Sequence, residues 1–284
     1  MKSIPRSPTS DGKRRFLDAF RNSDGRMATN EEEAIARIKI LMEHGRLVLD
    51  KLSPLAHEAL FSDQALRDRF LAAKSECAAF ILSIDIRRST ELMLKARSAE
   101  LFGEFMAGLC DDLKGVICDN YGIVDKFTGD GLLASFPEFF SGPDAGYRAI
   151  SAAQEAHLVF AKRYKQHRHS FSTILADVGL GIGIDYGNVR FMRIAGDLTV
   201  VGAPVVYATR MSNAPAGKSI LNQPAYEKIV SEYHAFCSLS ETELDIKHEG
   251  RVLAYEVRLK KRSFTPAAPP WLPTKKGSKK KRTT

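Results

Sequence analysis

The chain has 284 residues, a formal net charge of +8, 44% hydrophobic residues and four cysteines. That length suits one sizeable core with an appendage; no apolar run is long enough to span a bilayer, and no signal-peptide pattern opens the sequence. Cys77, Cys110, Cys118 and Cys237 show no paired spacing, which argues against a disulfide or zinc framework and for reduced thiols in a cytoplasmic protein.

Residues 1 to about 25 are polar and basic, with a weak helical stretch near Arg15 to Arg21. From Asn30, three glutamates open a helix that continues through Ala34, Ile35, Ile38, Ile40, Leu41 and Leu47 to Leu49, with Asn30 as its cap. Another helix is expected after Pro54, carrying Leu55, Leu60, Leu66, Phe70 and Leu71. Residues 1–75 therefore read as an N-terminal helical arm that braces or dimerises the rest.

Residues 76–258 alternate between strand and helix patterns. A strand is predicted at 78–85, a helix from about Ser89 to Asn120, and a hairpin of strands 122–128 and 131–136 turning at Gly129-Asp130-Gly131. A long helix follows from Pro143 to about Gln166, then a strand at 178–185 and a short one near Val189–Ile194. A helix from about Val205, a short strand near 219–221, a helix from Pro224 and a closing strand at 251–258 complete the body. This order predicts an α/β fold of the α+β sandwich type on a ferredoxin-like βαββαβ core.

The positive charge is local. Ten lysines and arginines and no acidic residue lie between 258 and 284, so removing those ten from +8 leaves −2 for the remainder. The body therefore offers no broad face for nucleic acid. Residues 259–284 read as a Pro- and Lys-rich tail. Pro266 to Pro273 predict an extended, unpacked link to a disordered basic end, in which Trp271 has no evident role.

Two aspartates stand out because each adjoins an apolar strand. Asp85 follows Ala78–Ile84, and Asp130 lies in Lys126-Phe127-Thr128-Gly129-Asp130-Gly131. Carboxylates at the ends of buried strands need compensation for lost water. Small neighbours that admit a ligand make them a candidate site for two hard cations and a phosphate-bearing substrate. Each also suits a turn or a cap.

These segments resemble the metal-binding motifs of class III nucleotidyl cyclases. Phe80-Ile81-Leu82-Ser83-Ile84-Asp85-Ile86-Arg87-Arg88-Ser89-Thr90 is similar to the first motif, and Lys126 to Gly131 to the second. Val178-Gly179-Leu180-Gly181-Ile182-Gly183-Ile184-Asp185-Tyr186-Gly187-Asn188-Val189 is similar to the family's glycine-alternating strand and turn. Leu198 to Met211 is similar to its final catalytic helix. Taken in order, the four imply a catalytic domain over residues 76–258.

The resemblance implies cyclisation of a nucleoside triphosphate with two divalent cations, Mn²⁺ or Mg²⁺, held by Asp85, Asp130 and the carbonyl of Ile86. It implies phosphate contacts from Arg87, Ser89 and Thr90, and from Lys247 more weakly. It also implies base contacts from Lys126 and Thr199, and a transition-state arginine at Arg210. In the family the site is shared across a homodimer.

Three departures stand out: Val206 replaces the usual ribose-orienting Asn, Ala203-Pro204 replaces a polar pair, and Ser89 stands where many members carry Phe. With the absence of a sensor-domain signature, they make the chain resemble the pyrimidine cyclases of bacterial Pycsar antiphage systems. That implies cyclic UMP or cyclic CMP as product, UTP ahead of CTP, and a separate effector that senses it. Lys126 with Thr199 is instead a pairing of bacterial adenylate cyclases, and a catalytically weak nucleotide-binding module is a third reading.

Overall fold

The structure, a computed structural model, describes residues 48–71, 76–246, 249–262 and 264–272. The helix expected from Asn30 lies outside these residues up to Leu47, as do the stretch near Arg15, Lys247 and the basic end from Pro273. The chain divides into two compact units, residues 1–50 and 51–284. Of the first, only Val48–Asp50 are described.

The second unit opens with helices α1 (Pro54–Ser62) and α2 (Gln64–Leu71). One helix was expected after Pro54. Asp63 divides it, because its carboxylate accepts the Leu66 amide at 3.0 Å and caps a new start. Phe70 then packs edge-on against Phe139, Phe140 and Phe191.

The body is an eight-stranded sheet. Its elements are β1 (Cys77–Arg87), α3 (Ser89–Leu94), α4 (Ala99–Asp119), β2 (Ile123–Phe127), β3 (Leu132–Pro137), α5 (Glu138–Ser141) and α6 (Ala145–Gln166). There follow β4 (Gly179–Ile194), β5 (Asp197–Val201), α7 (Ala203–Met211), β6 (Lys218–Leu221), α8 (Gln223–Tyr233), β7 (Cys237–Ile246) and β8 (Gly250–Leu259). The strand order is β2-β3-β1-β4-β6-β8-β7, with β5 paired to β4. Its first four strands, β2-β3-β1-β4, have the antiparallel order of the expected βαββαβ core.

Alternation along β1 decides what lies where. Phe80, Leu82, Ile84 and Ile86 join the main core with Phe105, Leu109 and Ile117 of α4 and Ala149, Ala153 and Phe160 of α6. Successive side chains of a strand point to opposite faces. Ser83, Asp85 and Arg87 are thereby turned to the other face, where Ser83 meets Ser212 just past α7.

Several expected elements take a different form. The helix from Ser89 breaks at Lys95–Ser98, and Ser98 caps the restart through the Leu101 amide. The two strands expected between 178 and 194 are one, because β4 stays paired to β1 as far as Val189 and then to β5. β5 and β7 were not anticipated. The chain expected to enter a helix near Val205 first forms β5, then turns at Gly202 into α7 at Ala203.

The link expected to be unpacked is packed. Asp144 accepts the Ala267 amide at 2.7 Å and Arg148 donates to the Ala267 carbonyl at 2.7 Å. Trp271 stacks on Phe140 and donates its indole N–H to the Phe140 carbonyl at 2.7 Å. The prolines hold this segment extended, and its aromatic residues attach it. All four cysteines are free, and burial pushes Cys77, Cys118 and Cys237 up to about 11. Among the described residues no helix is long and apolar enough to cross a membrane.

Asp185 lies buried within β4. It accepts the Tyr186 amide at 2.8 Å and the Asn222 side chain at 3.2 Å, yet burial still pushes it up to about 6. A folded-state value above the unfolded one favours the fold at low pH and withdraws that contribution as pH rises through 6. Asp185→Asn keeps both contacts after a turn of the Asn222 amide. Thermal melts across pH should therefore show it more stable than the native protein at pH 7.5, by on the order of 1–2 kcal/mol, with the gap closing near pH 4.

Candidate functional site

Glycines on β4 bring α7 onto the sheet. A Cβ on Gly183 would lie 2.0 Å from the Ala208 carbonyl oxygen, and one on Gly181 would lie 2.4 Å from the Ser212 carbonyl oxygen. The helix backbone therefore rests directly on the strand. Ala208 and Met211 of α7 are buried, whereas Val206, Tyr207 and Arg210 stay at the surface.

At the end of β1, Asp85 and Ile86 precede Arg88, which turns the chain with φ +63° into α3. Ser89 and Thr90 form the first turn of that short helix, half-buried and exposed respectively. Arg88 is tied to Glu91 by bonds of 2.7 to 2.9 Å. The β2–β3 turn is drawn against the same strand end. Leu132 pairs with Ile84, and a Cβ on Gly131 would lie 2.3 Å from the Ile84 carbonyl oxygen. The β1–β3 ladder ends at that pair, and the turn that carries Gly131 and Asp130 follows directly beside the end of β1.

Asp85 Oδ2 is buried without a hydrogen bond and meets the Arg87 guanidinium as an ion pair. Arg87 also donates to the carbonyl and side chain of Asn213, at 3.3 and 3.4 Å. Burial pulls the Arg87 guanidinium down from its usual range, and the nearby Asp130 charge opposes this. A cationic group is thus already paired with Asp85 and near enough to Asp130 to feel its charge. Hard divalent cations take oxygen ligands, and the unbonded Oδ2, the Ile86 carbonyl and Asp130 fit one. Among the described residues no three His, Cys, Asp or Glu side chains gather. The rest of such a cation's shell would come from water and from the ligand's own phosphates.

Lys126 and Thr199 meet directly, with the ammonium donating to the hydroxyl at 2.6 Å. Beneath them lies Asp125, a residue the sequence reading passed over. Its Oδ2 accepts from the Thr199 hydroxyl at 2.8 Å and lies 3.2 Å from Lys126 Nζ, while its Oδ1 accepts the Val200 amide at 2.8 Å. Lys51 donates to the Asp125 carbonyl and lies 3.4 Å from Asp197. The available signal was an acid inside the apolar run Ile123-Val124-Asp125, where burial demands partners.

Arg210 is ion-paired with Glu249 in the β7–β8 turn and lies over the Tyr207 ring at 5.6 Å. Glu249 was also passed over. Its signal is a lone acid in a tight turn before Gly250, whose φ is +77°. Three groups of residues thus form: Asp85–Ile86–Arg87–Asp130, Asp125–Lys126–Thr199 and Arg210–Glu249. Among the described residues no hydrogen bond or ion pair joins one group to another. Lys247 lies outside the described residues.

The architecture around these groups has solved counterparts. It is similar to the adenylyl cyclase CyaB from P. aeruginosa, at 20% identity and TM-score 0.58, over 67% of this chain and 98% of that one. It is similar also to the guanylyl cyclase Cya2, at 22% identity and TM-score 0.55, over 64% and 92%. The guanylate cyclase domain of RhGC from Catenaria anguillulae, solved with GTP, matches at 18% identity and TM-score 0.53, over 66% and 100%. The fold is that of the class III nucleotidyl cyclase domains. No family model and no curated protein matches the chain.

Within this cyclase fold the β4–α7 contact is the tightest constraint on the candidate arginine. Gly183→Ala should drive α7 from the strand and cost about 1–3 kcal/mol by overpacking. A thermal melt checks it, and an unchanged midpoint would refute the close contact.

Proposed function

We propose that the protein is a nucleotidyl cyclase that converts a nucleoside triphosphate to its 3′,5′-cyclic monophosphate and pyrophosphate. The observation that carries this reading is the water-shielded Oδ2 of Asp85 at the end of β1, faced by the Arg87 guanidinium that also feels the Asp130 charge. A carboxylate held only by a part-exposed ion pair can exchange its arginine for a cation that arrives with the substrate. The ribose 3′-oxygen attacks the α-phosphorus and gives up its proton, and the bond to the pyrophosphate oxygen breaks.

Asp85, Asp130 and the Ile86 carbonyl would hold two divalent cations, Mg²⁺ or Mn²⁺. Bound there, they would neutralise the triphosphate and lower the pKa of the 3′-hydroxyl. Ser89 and Thr90 offer open amides to phosphate oxygens, Arg87 can add charge once released from Asp85, and Lys247 is a further phosphate candidate. Arg210 supplies charge to the α-phosphate in the transition state; loss of such a donor costs on the order of 10²–10³ in rate. Positioning and charge do nearly all the work in phosphoryl transfer.

A homodimer completes the site in this reading. Phe127, Met192, Ile194, Val201, Val206 and Tyr207 expose 36 to 50% of their area on β2, the β4–β5 hairpin and α7, the elements that carry or adjoin Lys126, Thr199 and Arg210. Exposed apolar side chains gathered beside a functional site favour a partner surface.

For the base we propose a pyrimidine, UTP ahead of CTP, with the product acting as an antiphage signal read by a separate effector. The support is the resemblance noted above and the exposed Val206, which cannot orient a ribose by hydrogen bonding. The Lys126–Thr199 contact favours a second reading, an adenylate cyclase.

Incubation with Mn²⁺ and equal ATP, GTP, CTP and UTP, read by mass spectrometry, should yield cyclic UMP or cyclic CMP. Cyclic AMP would select the second reading, and no cyclic product would refute cyclase activity. Asp85→Ala and Asp130→Ala should each abolish turnover and leave the dimer intact. Mixing Asp130→Ala with Arg210→Ala should restore partial activity through one intact composite site; no recovery from subunits shown to exchange would sink cross-dimer catalysis.

A further inference from the structure

Asp125 controls how the Lys126–Thr199 pair can hydrogen-bond. A threonine hydroxyl has one proton and two lone pairs, and an ammonium has three protons. The Thr199 proton is committed to Asp125 Oδ2 at 2.8 Å, and one of its lone pairs receives Lys126 at 2.6 Å. What remains outward on Thr199 is a lone pair alone. Lys126 spends one N–H on Thr199 and is ion-paired with Asp125 at 3.2 Å, and its side chain is 45% exposed. What remains on Lys126 is a donor.

The arrangement resists reversal because Asp125 is itself fixed. It is 4% exposed, and the Val200 amide holds its other oxygen at 2.8 Å. Lys51 donates to its main-chain carbonyl. Rotating the Thr199 proton outward would take from the buried Oδ2 its 2.8 Å hydrogen bond and leave it only the longer Lys126 contact at 3.2 Å, and a hydrogen bond to a charged group is worth more than the neutral one gained.

Resting on the cyclase reading, we infer that Asp125 is the specificity-determining positioning residue of the base pocket, locking Thr199 as an acceptor beside Lys126, which can only donate. The ligand class follows: a nucleoside triphosphate whose base presents an N–H donor adjacent to an acceptor, in one fixed order. Asp125 touches neither base nor phosphate and acts through Thr199. The two orders divide the bases, since amino bases and keto bases carry donor and acceptor in opposite places around the ring.

The test is equilibrium binding of ATP, GTP, CTP and UTP in Ca²⁺ to the full-length protein, to Asp125→Asn and to Thr199→Val, with thermal melts alongside. Asparagine can still accept from Val200 but presents an amide donor to Thr199, which frees the hydroxyl proton to point outward. Asp125→Asn should shift the preference between amino and keto bases on the order of 10–100-fold while binding of the best triphosphate persists. Thr199→Val should flatten the preference, and Asp125→Asn added to it should change nothing more. Equal weakening of all four triphosphates in Asp125→Asn would overturn the inference and leave the cyclase reading standing. So would a Thr199→Val protein that keeps the native preference, which decides the matter even if the asparagine variant fails to fold. No binding of any triphosphate by the native protein would overturn both readings.

Discussion

Gly183 has no side chain because the Ala208 carbonyl occupies the space where one would begin. That contact fixes the height of α7 over the sheet, and much of the candidate site inherits its position from it. Arg210 leaves α7 at the surface because Ala208 and Met211, on the opposite side of the helix, are pressed onto β4. β5 must turn sharply at Gly202 to deliver the chain to this helix, and that turn places Thr199 on the strand beside Asp125. A Cβ at position 183 would disturb all of these together, since the helix, the turn and the hairpin form one continuous run of chain.

The same face of the sheet explains why charge is tolerated at the end of a buried strand. β1 is central, flanked by β3 and β4, and its side chains at Phe80, Leu82, Ile84 and Ile86 are committed to the α4–α6 core. Had Asp85 been one residue earlier or later, its carboxylate would have entered that core. A one-residue slip exchanges the faces of a strand. The register therefore does for Asp85 what the glycines do for Arg210: it sends a costly group to the side of the sheet away from the main core.

The central strands and the long helices were legible because they bury one face continuously, and the apolar spacing reports that directly. β7 was not, because its pattern changes phase. Cys237 and Leu239 point to the main core, whereas Leu244 and Ile246 point to the smaller cluster around Met211 and Ala254. A strand that serves both faces in turn has no single alternation to detect. β5 was hidden by its shortness and by lying directly before a helix. The strap from Phe264 to Leu272 reads as linker because its prolines remove backbone donors, while what attaches it is long-range: an arginine and an aspartate near the start of α6 and an indole stacked on Phe140. In the candidate site, single positions such as Asp85, Asp130 and Lys126 are proposed from local motif. Asp125 and Glu249 act through partners 74 and 39 positions away, which spacing along the chain cannot reveal.

The acidic groups of the candidate site are compensated in two distinct ways. Asp85 with Arg87 and Glu249 with Arg210 are part-exposed ion pairs, with side chains 27 to 35% accessible. Pairs of that kind contribute about 0–1 kcal/mol, because water screens them and both side chains lose freedom. Either arginine can therefore exchange its carboxylate for a phosphate at little net cost, and either carboxylate can exchange its arginine for a cation. Asp125 is different. It is buried and held at both oxygens, by Thr199 and Lys126 on one and the Val200 amide on the other, so removing a partner leaves a charge undercompensated away from water. On the proposed reading, the groups that must trade partners during turnover are those held weakly. The group that defines the base pocket is the one whose partners cannot be traded.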